Sequence, residues 1–128
     1  SDLYLLTKMP VKGMKHKMIY KILKNNEWID LQRNGVTSGA PIDIQDGYIH
    51  FSTSSQVEGT VKKYFTDVEG LFIAAIDDSK IADDLIWETA RNNKLFPHLY
   101  RKLKLTEIIW CKPLLLKNGV HVFPVKLP

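Results

Sequence analysis

One cysteine, no long apolar run and no recognisable nucleotide or protease motif remove several classes of protein at once. A single Cys111 among 128 residues excludes an internal disulfide and fits a reducing compartment, so a cytoplasmic location is expected. The apolar run Leu3 to Leu6 is too short for a signal-peptide core or a membrane span. There is no glycine-rich phosphate loop, Walker motif, nucleophile elbow or HExxH pair, and no motif specific for nucleic acid. Internal repeats and low-complexity stretches are also missing.

What is present suits one domain. The chain is 45% hydrophobic with three Trp, enough to fill a core without covalent staples. Its net charge of +4 is concentrated locally. Lys8, Lys12, Lys15 and Lys17 sit in a stretch without an acid, whereas residues 18–128 hold 14 Lys and Arg against 13 Asp and Glu. Residues 1–17 therefore read as a basic N-terminal extension, mobile and soluble, with contact to phosphate or a membrane surface as the alternative. Residues 18–128 read as a single domain.

Within that domain, Met18 to Leu23 alternates as a strand, and Glu27 to Asn34 is a helix stopped by Gly35. Gly35 to Asp46, with Gly39 and Pro41, reads as a loop of about a dozen residues, a length often tied to function. Asp46-Gly47 is a turn signal. From Tyr48 to Ser52 the side chains alternate, placing His50 and Ser52 on one face. Val57, Val61, Tyr64 and Phe65 mark a second amphipathic helix, with Ser55 and Glu58 as a capping box. Leu71 to Ile76 fits a buried central strand. Lys80 to Asp84 is a turn, Leu85 to Glu88 a short strand, and Pro97 indicates a shaped loop or strand edge. Glu107 to Leu116 and Val120 to Val125 flank Lys117-Asn118-Gly119, a hairpin turn, with His121 facing solvent. The class is α+β: a curved mixed sheet of about six strands, two main helices and a C-terminal hairpin.

Three polar groups lie in apolar company: His50, Glu88 and His98. A carboxylate after Trp87 loses hydration and is a candidate acid or base. The structural alternatives are an ion pair of Glu88 with Arg91 or Arg101, a core His50 bonded to backbone, and a loop-holding His98. Two His and one carboxylate also form a metal-ligand set in principle, but no local ligand pair accompanies them and no metal is expected. Ser52, Thr53, Ser54 and Ser55 are helix-opening hydroxyls whose amides suit a phosphate.

The ordered motifs resemble a mainly bacterial family of domains of unknown function, numbered nine hundred and fifty-two. They are Ile19-Tyr20-Lys21-Ile22, Trp28, Gly39-Ala40-Pro41-Ile42-Asp43, Asp46-Gly47-Tyr48-Ile49-His50-Phe51-Ser52-Thr53, Gln56, Ala75-Ile76-Asp77, Leu85-Ile86-Trp87-Glu88 and Phe96-Pro97-His98-Leu99-Tyr100. The resemblance covers about residues 18–114 and implies a compact α+β domain. Ala40 stands where the family commonly has Ser. A more distant similarity, to ADP-ribosyltransferase-like folds, rests on Ser52-Thr53-Ser54 and Glu88, although Glu88 follows Trp where a Glu or Gln is usual. It implies NAD as the nucleotide, with Glu88 and His50 catalytic. Ser52 and Thr53 would steady the nicotinamide ribose, His98 would contact ribose or pyrophosphate, and Tyr100 would stack on a ring. A non-catalytic small-ligand or partner-binding module and a metal-assisted hydrolase are the alternatives.

Overall fold

The structure, a computed structural model, describes residues 17–128. Of the mobile extension expected at residues 1–17, residues 1–16 lie outside the described residues. Strand β1 (Met18–Leu23) opens the domain, and helix α1 (Asn25–Asn34) follows. Gly35 ends α1 in the left-handed region (φ 77°), its N–H bonded to the Leu31 carbonyl, a conformation that costs glycine little.

The segment read as a loop, Gly35 to Asp46, instead contains β2 (Val36–Thr37) and a short helix, α2 (Pro41–Asp46). Pro41 occupies the first turn, where its missing N–H costs nothing. Asp43 accepts from the Ala40 amide at 2.8 Å, and Gly47 terminates the helix at φ 85°. Next come β3 (Ile49–His50), β4 (Ser52–Thr53), α3 (Val57–Tyr64), β5 (Leu71–Asp77), β6 (Leu85–Thr89) and β7 (Leu95–Leu99). β8 (Leu103–Lys104), β9 (Ile108–Lys117) and β10 (Val120–Val122) complete the chain, with 3₁₀ turns at Asp78–Lys80 and Ala82–Asp84. Asn118 and Gly119 both take positive φ, giving the expected β9–β10 hairpin.

The α+β class holds, and among the described residues every strand pair is antiparallel, where the sequence reading had a mixed sheet. A five-stranded sheet runs β10-β9-β5-β1-β4, a three-stranded sheet β3-β7-β6, and β2 pairs with β8. The run Leu71–Ile76 lies centrally, as its uninterrupted apolarity demands. Its residues Ala74 and Ile76 pack with Ile19, Leu23, Leu31, Ile49, Phe51 and Leu99. The opposite face, Leu71, Ile73 and Ala75, packs with Tyr20, Ile22, Val57 and Val61. The five-stranded sheet is thus covered by α3 on one side and by α1 and the three-stranded sheet on the other.

Two local readings change. β7 is the middle strand of its sheet, so Pro97 lies inside a strand; its carbonyl still accepts the Phe51 amide at 3.0 Å. His121 is half-buried, its Nε2–H donating to the Val68 carbonyl at 2.8 Å. No helix among the described residues is long and apolar enough to cross a membrane.

Candidate functional site

Strand pairing brings the two histidines together. His50 on β3 is directly opposite His98 on β7, and His98 is opposite Ile86 on β6, with Glu88 opposite Phe96. Partners across an antiparallel pair, and residues two apart along a strand, share a face. One face of the small sheet therefore carries His50, Phe96, His98, Tyr100 and Glu88. The other face is apolar and joins the core through Ile49, Leu85, Trp87 and Leu99. Trp87 therefore turns away from Glu88 and does not dry its surroundings.

Two carboxylates hold the two rings. Asp43, 1% exposed, accepts from Lys21 Nζ at 2.7 Å, His50 Nδ1 at 2.5 Å, the His50 amide at 3.1 Å and the Ala40 amide. Burial alone would raise its pKa, but the bonds from His50 and Lys21 and the Lys21 charge outweigh burial and lower it. Four donors on one buried carboxylate give full satisfaction of its oxygens. His50 Nε2 lies 3.0 Å from Asp46 Oδ2.

Glu88 pairs with neither Arg91 nor Arg101. Its Oε1 accepts from His98 Nδ1 at 2.8 Å and from the Tyr100 hydroxyl at 2.6 Å. Those bonds, Tyr100 first, keep the carboxyl below its ordinary pKa. The same bond pushes the Tyr100 phenol up to about 12. Both bonds fall on Oε1, and Oε2 takes no protein partner among the described residues. The side chain stays 39% exposed.

Tyr48 ties the groups into one patch. Its ring stacks on His98 at a centroid distance of 4.2 Å, tilts against His50 at 4.7 Å and meets Tyr100 at 5.1 Å. Beyond the two tyrosines lies an open cavity of about 280 Å³ lined by Ser38, Asp43, Ile44, Tyr48, Tyr100 and Lys102, among others. His50, Glu88 and His98 are not in its wall; Tyr48 and Tyr100 connect it to them.

The structure thus brings His50, Glu88, His98 and Tyr100 together. Ser52 and Thr53 stand apart from them. The parity placing Ser52 beside His50 assumes one continuous strand, but the chain changes sheets at Phe51: His50 pairs with β7, and Ser52 pairs with Tyr20 on β1. Ser52 is buried, its Oγ 2.9 Å from Thr60 Oγ1, and Thr53 Oγ1 is 3.2 Å from Ser55 Oγ. Gln56 precedes α3, and its side chain accepts the Thr53 amide at 3.0 Å; Ser55 does not cap the helix. The sequence reading missed Lys21, Asp43 and Tyr48 as site residues. Pro41, Asp43 and Gly47 were its available signal, since together they spell helix start, cap and stop. Cys111 packs against the core, and burial pushes its thiol up to about 12. Among the described residues, no three or more His, Cys, Asp or Glu are grouped to hold a metal ion.

Solved structures share this arrangement of elements. A crystal structure of protein CC0527 from Caulobacter crescentus matches with a TM-score of 0.79 and 36% identity, over 82% of this chain and 93% of that one. A double-methionine variant of CC0527 gives the same values. Its solution NMR structure gives a TM-score of 0.73 and 35% identity over 81% and 90%. No curated protein matches the chain. The family described as "Protein of unknown function (DUF952)" matches residues 22–111, and the chain belongs to that family.

Proposed function

We propose that the tyrosine-edged face binds a nucleotide and that the chain breaks the bond between ribose and nicotinamide in NAD, passing the ADP-ribosyl group to water or another acceptor. The observation that supports this is Glu88. It is ionised and fixed through Oε1 by His98 and Tyr100, yet open at Oε2 beside two tyrosine rings. A preorganised carboxylate stabilises positive charge developing on a ribose carbon without having to reorganise. The C1′–N bond breaks with its electron pair leaving on nicotinamide. The acceptor then forms the new bond at C1′, and its proton passes to Glu88 Oε2.

The other residues take supporting parts. His98, buried under Tyr48, positions Glu88 and does not touch the ligand. His50 has both nitrogens on carboxylates and sets the Tyr48 ring. Tyr48 and Tyr100 offer aromatic surface to a base, and the adjoining cavity gives room for it. Ser52 and Thr53, turned into their own hydrogen bonds, have no direct part in this reading.

The test is nicotinamide release from NAD by the full chain. Glu88→Gln keeps shape and hydrogen bonding but deletes the charge, and turnover should fall roughly a hundredfold or more with the fold intact. No release by the wild type with water or a panel of acceptors, and no NAD binding by calorimetry, would end the transferase reading. NAD binding without release would leave a ligand-binding module.

A further inference from the structure

The polar groups around Ser52 contain a cation that is not ion-paired to any acid among the described residues. Arg91 Nη2 donates to Thr60 Oγ1 at 3.2 Å, and Thr60 in turn meets Ser52 Oγ. The guanidinium carbon lies 5.1 Å from the centre of the Phe96 ring. Gly59 leaves the space: a Cβ there would sit 3.3 Å from Nη2. Among the described residues Arg91 makes no ion pair, and its Nε and Nη1 take no protein acceptor.

The position of this cation matters more than its packing. Phe96 is the register partner of Glu88 and lies two residues from His98 on β7, so Arg91 covers the same face that presents the Glu88 carboxylate. A guanidinium pinned at one nitrogen and stacked on a ring has lost its side-chain freedom before any ligand arrives. Its remaining donors form a planar fork that matches two oxygens of a phosphate. Glu88 and Arg91 thus offer, on one face, an anion for developing positive charge and a cation for a fixed negative one.

We infer that Arg91 is the anion-binding residue of this site, and that the ligand carries phosphate or pyrophosphate next to the part that meets Glu88. This rests on the nucleotide reading above and specifies which end of the nucleotide lies where. Thr60 and Phe96 position Arg91, and Gly59 keeps the approach clear.

Inorganic pyrophosphate added to the full chain and followed by NMR gives the first test. The Arg91 Nε–H and the Gly59 and Thr60 amides should shift together and saturate. Shifts confined to lysine-rich surface elsewhere would overturn the inference, and this wild-type experiment needs no variant to fold. In calorimetry, Arg91→Gln should weaken pyrophosphate roughly tenfold or more, as losing a charge-assisted bond does. Arg91→Lys should recover part of that, and nicotinamide riboside, which has no phosphate, should bind wild type and Arg91→Gln alike. Equal loss for the riboside would make Arg91 a structural brace and overturn its proposed role. Arg91-dependent pyrophosphate binding without nicotinamide release would sink the NAD reaction but not the anion site. Release with unchanged KM in Arg91→Gln would do the reverse.

Discussion

Asp43 and His50 are bonded twice: one carboxylate oxygen accepts both the backbone amide and the ring Nδ1 of the histidine. The side-chain orientation of His50 is therefore tied to the first turn of α2, and Lys21 on β1 holds the same carboxylate from the core side. Three elements, β1, α2 and β3, meet on one buried anion.

Acid should reveal that anion. Asp43 has a folded pKa below its unfolded value, so its contribution to stability is full above the unfolded pKa, near 4, and is lost as pH falls through the folded value. Asp43→Asn leaves Lys21 buried without its counter-charge and should cost about 3–5 kcal/mol at neutral pH. The gap between wild type and variant should narrow as pH falls toward the folded pKa of Asp43. Thermal melts from neutral pH downward check this, and a gap independent of pH would remove Asp43 from the acid limb.

Gly39 offers a steric test of the same anchor. It takes φ 96°, and a Cβ there would lie 2.6 Å from the Asp43 Cβ and in contact with its carboxylate. Gly39→Ala should destabilise by more than the roughly 1 kcal/mol typical of glycine replacement at positive φ, because backbone and anchor must both shift. A denaturation midpoint equal to that of wild type would show that α2 relaxes freely.

Tyr100→Phe removes one of the two donors on Glu88 Oε1. The Glu88 carboxyl should then titrate at higher pH than in wild type, with its bond from His98 retained, since the Tyr100 bond is the largest cause of its lowered pKa. Carboxyl carbon NMR across the acid range measures the shift. An unmoved Glu88 midpoint would mean that the phenol does not hold the carboxylate in solution.

Cys111, pushed up to about 12, should be almost wholly thiol at neutral pH. Iodoacetamide should modify it slowly in the native state and rapidly after denaturation, since the thiolate is the nucleophile. Equal rates would place Cys111 on an accessible, unshifted surface.

Local chemistry explains which parts of this structure were legible in the sequence. The Leu71–Ile76 strand, the helix stop at Gly35 and the Asn118-Gly119 hairpin each carry their cause within a few residues. The pairing of His50 with His98 spans 48 positions and depends on strand register, which no local pattern encodes. Parity linked His50 to Ser52 because five residues alternate, but parity cannot register a change of sheet between neighbours. Asp43 was hidden for a different reason. An acidic residue after Pro41 looks solvated until Lys21 is known to approach it from the core.

The sheet change at Phe51 also makes the chain intolerant of added length there. Phe51 is 2% exposed, with His50 locked to one sheet on its amino side and Ser52 to the other on its carboxyl side. One extra residue between them would break phase in one of the two ladders, rotating either the imidazole face or the Ser52 face by half a turn. Residues 49–53 thus work as a fixed-length joint that couples the histidine-bearing face to the core, and any change that preserves that face must also preserve the spacing.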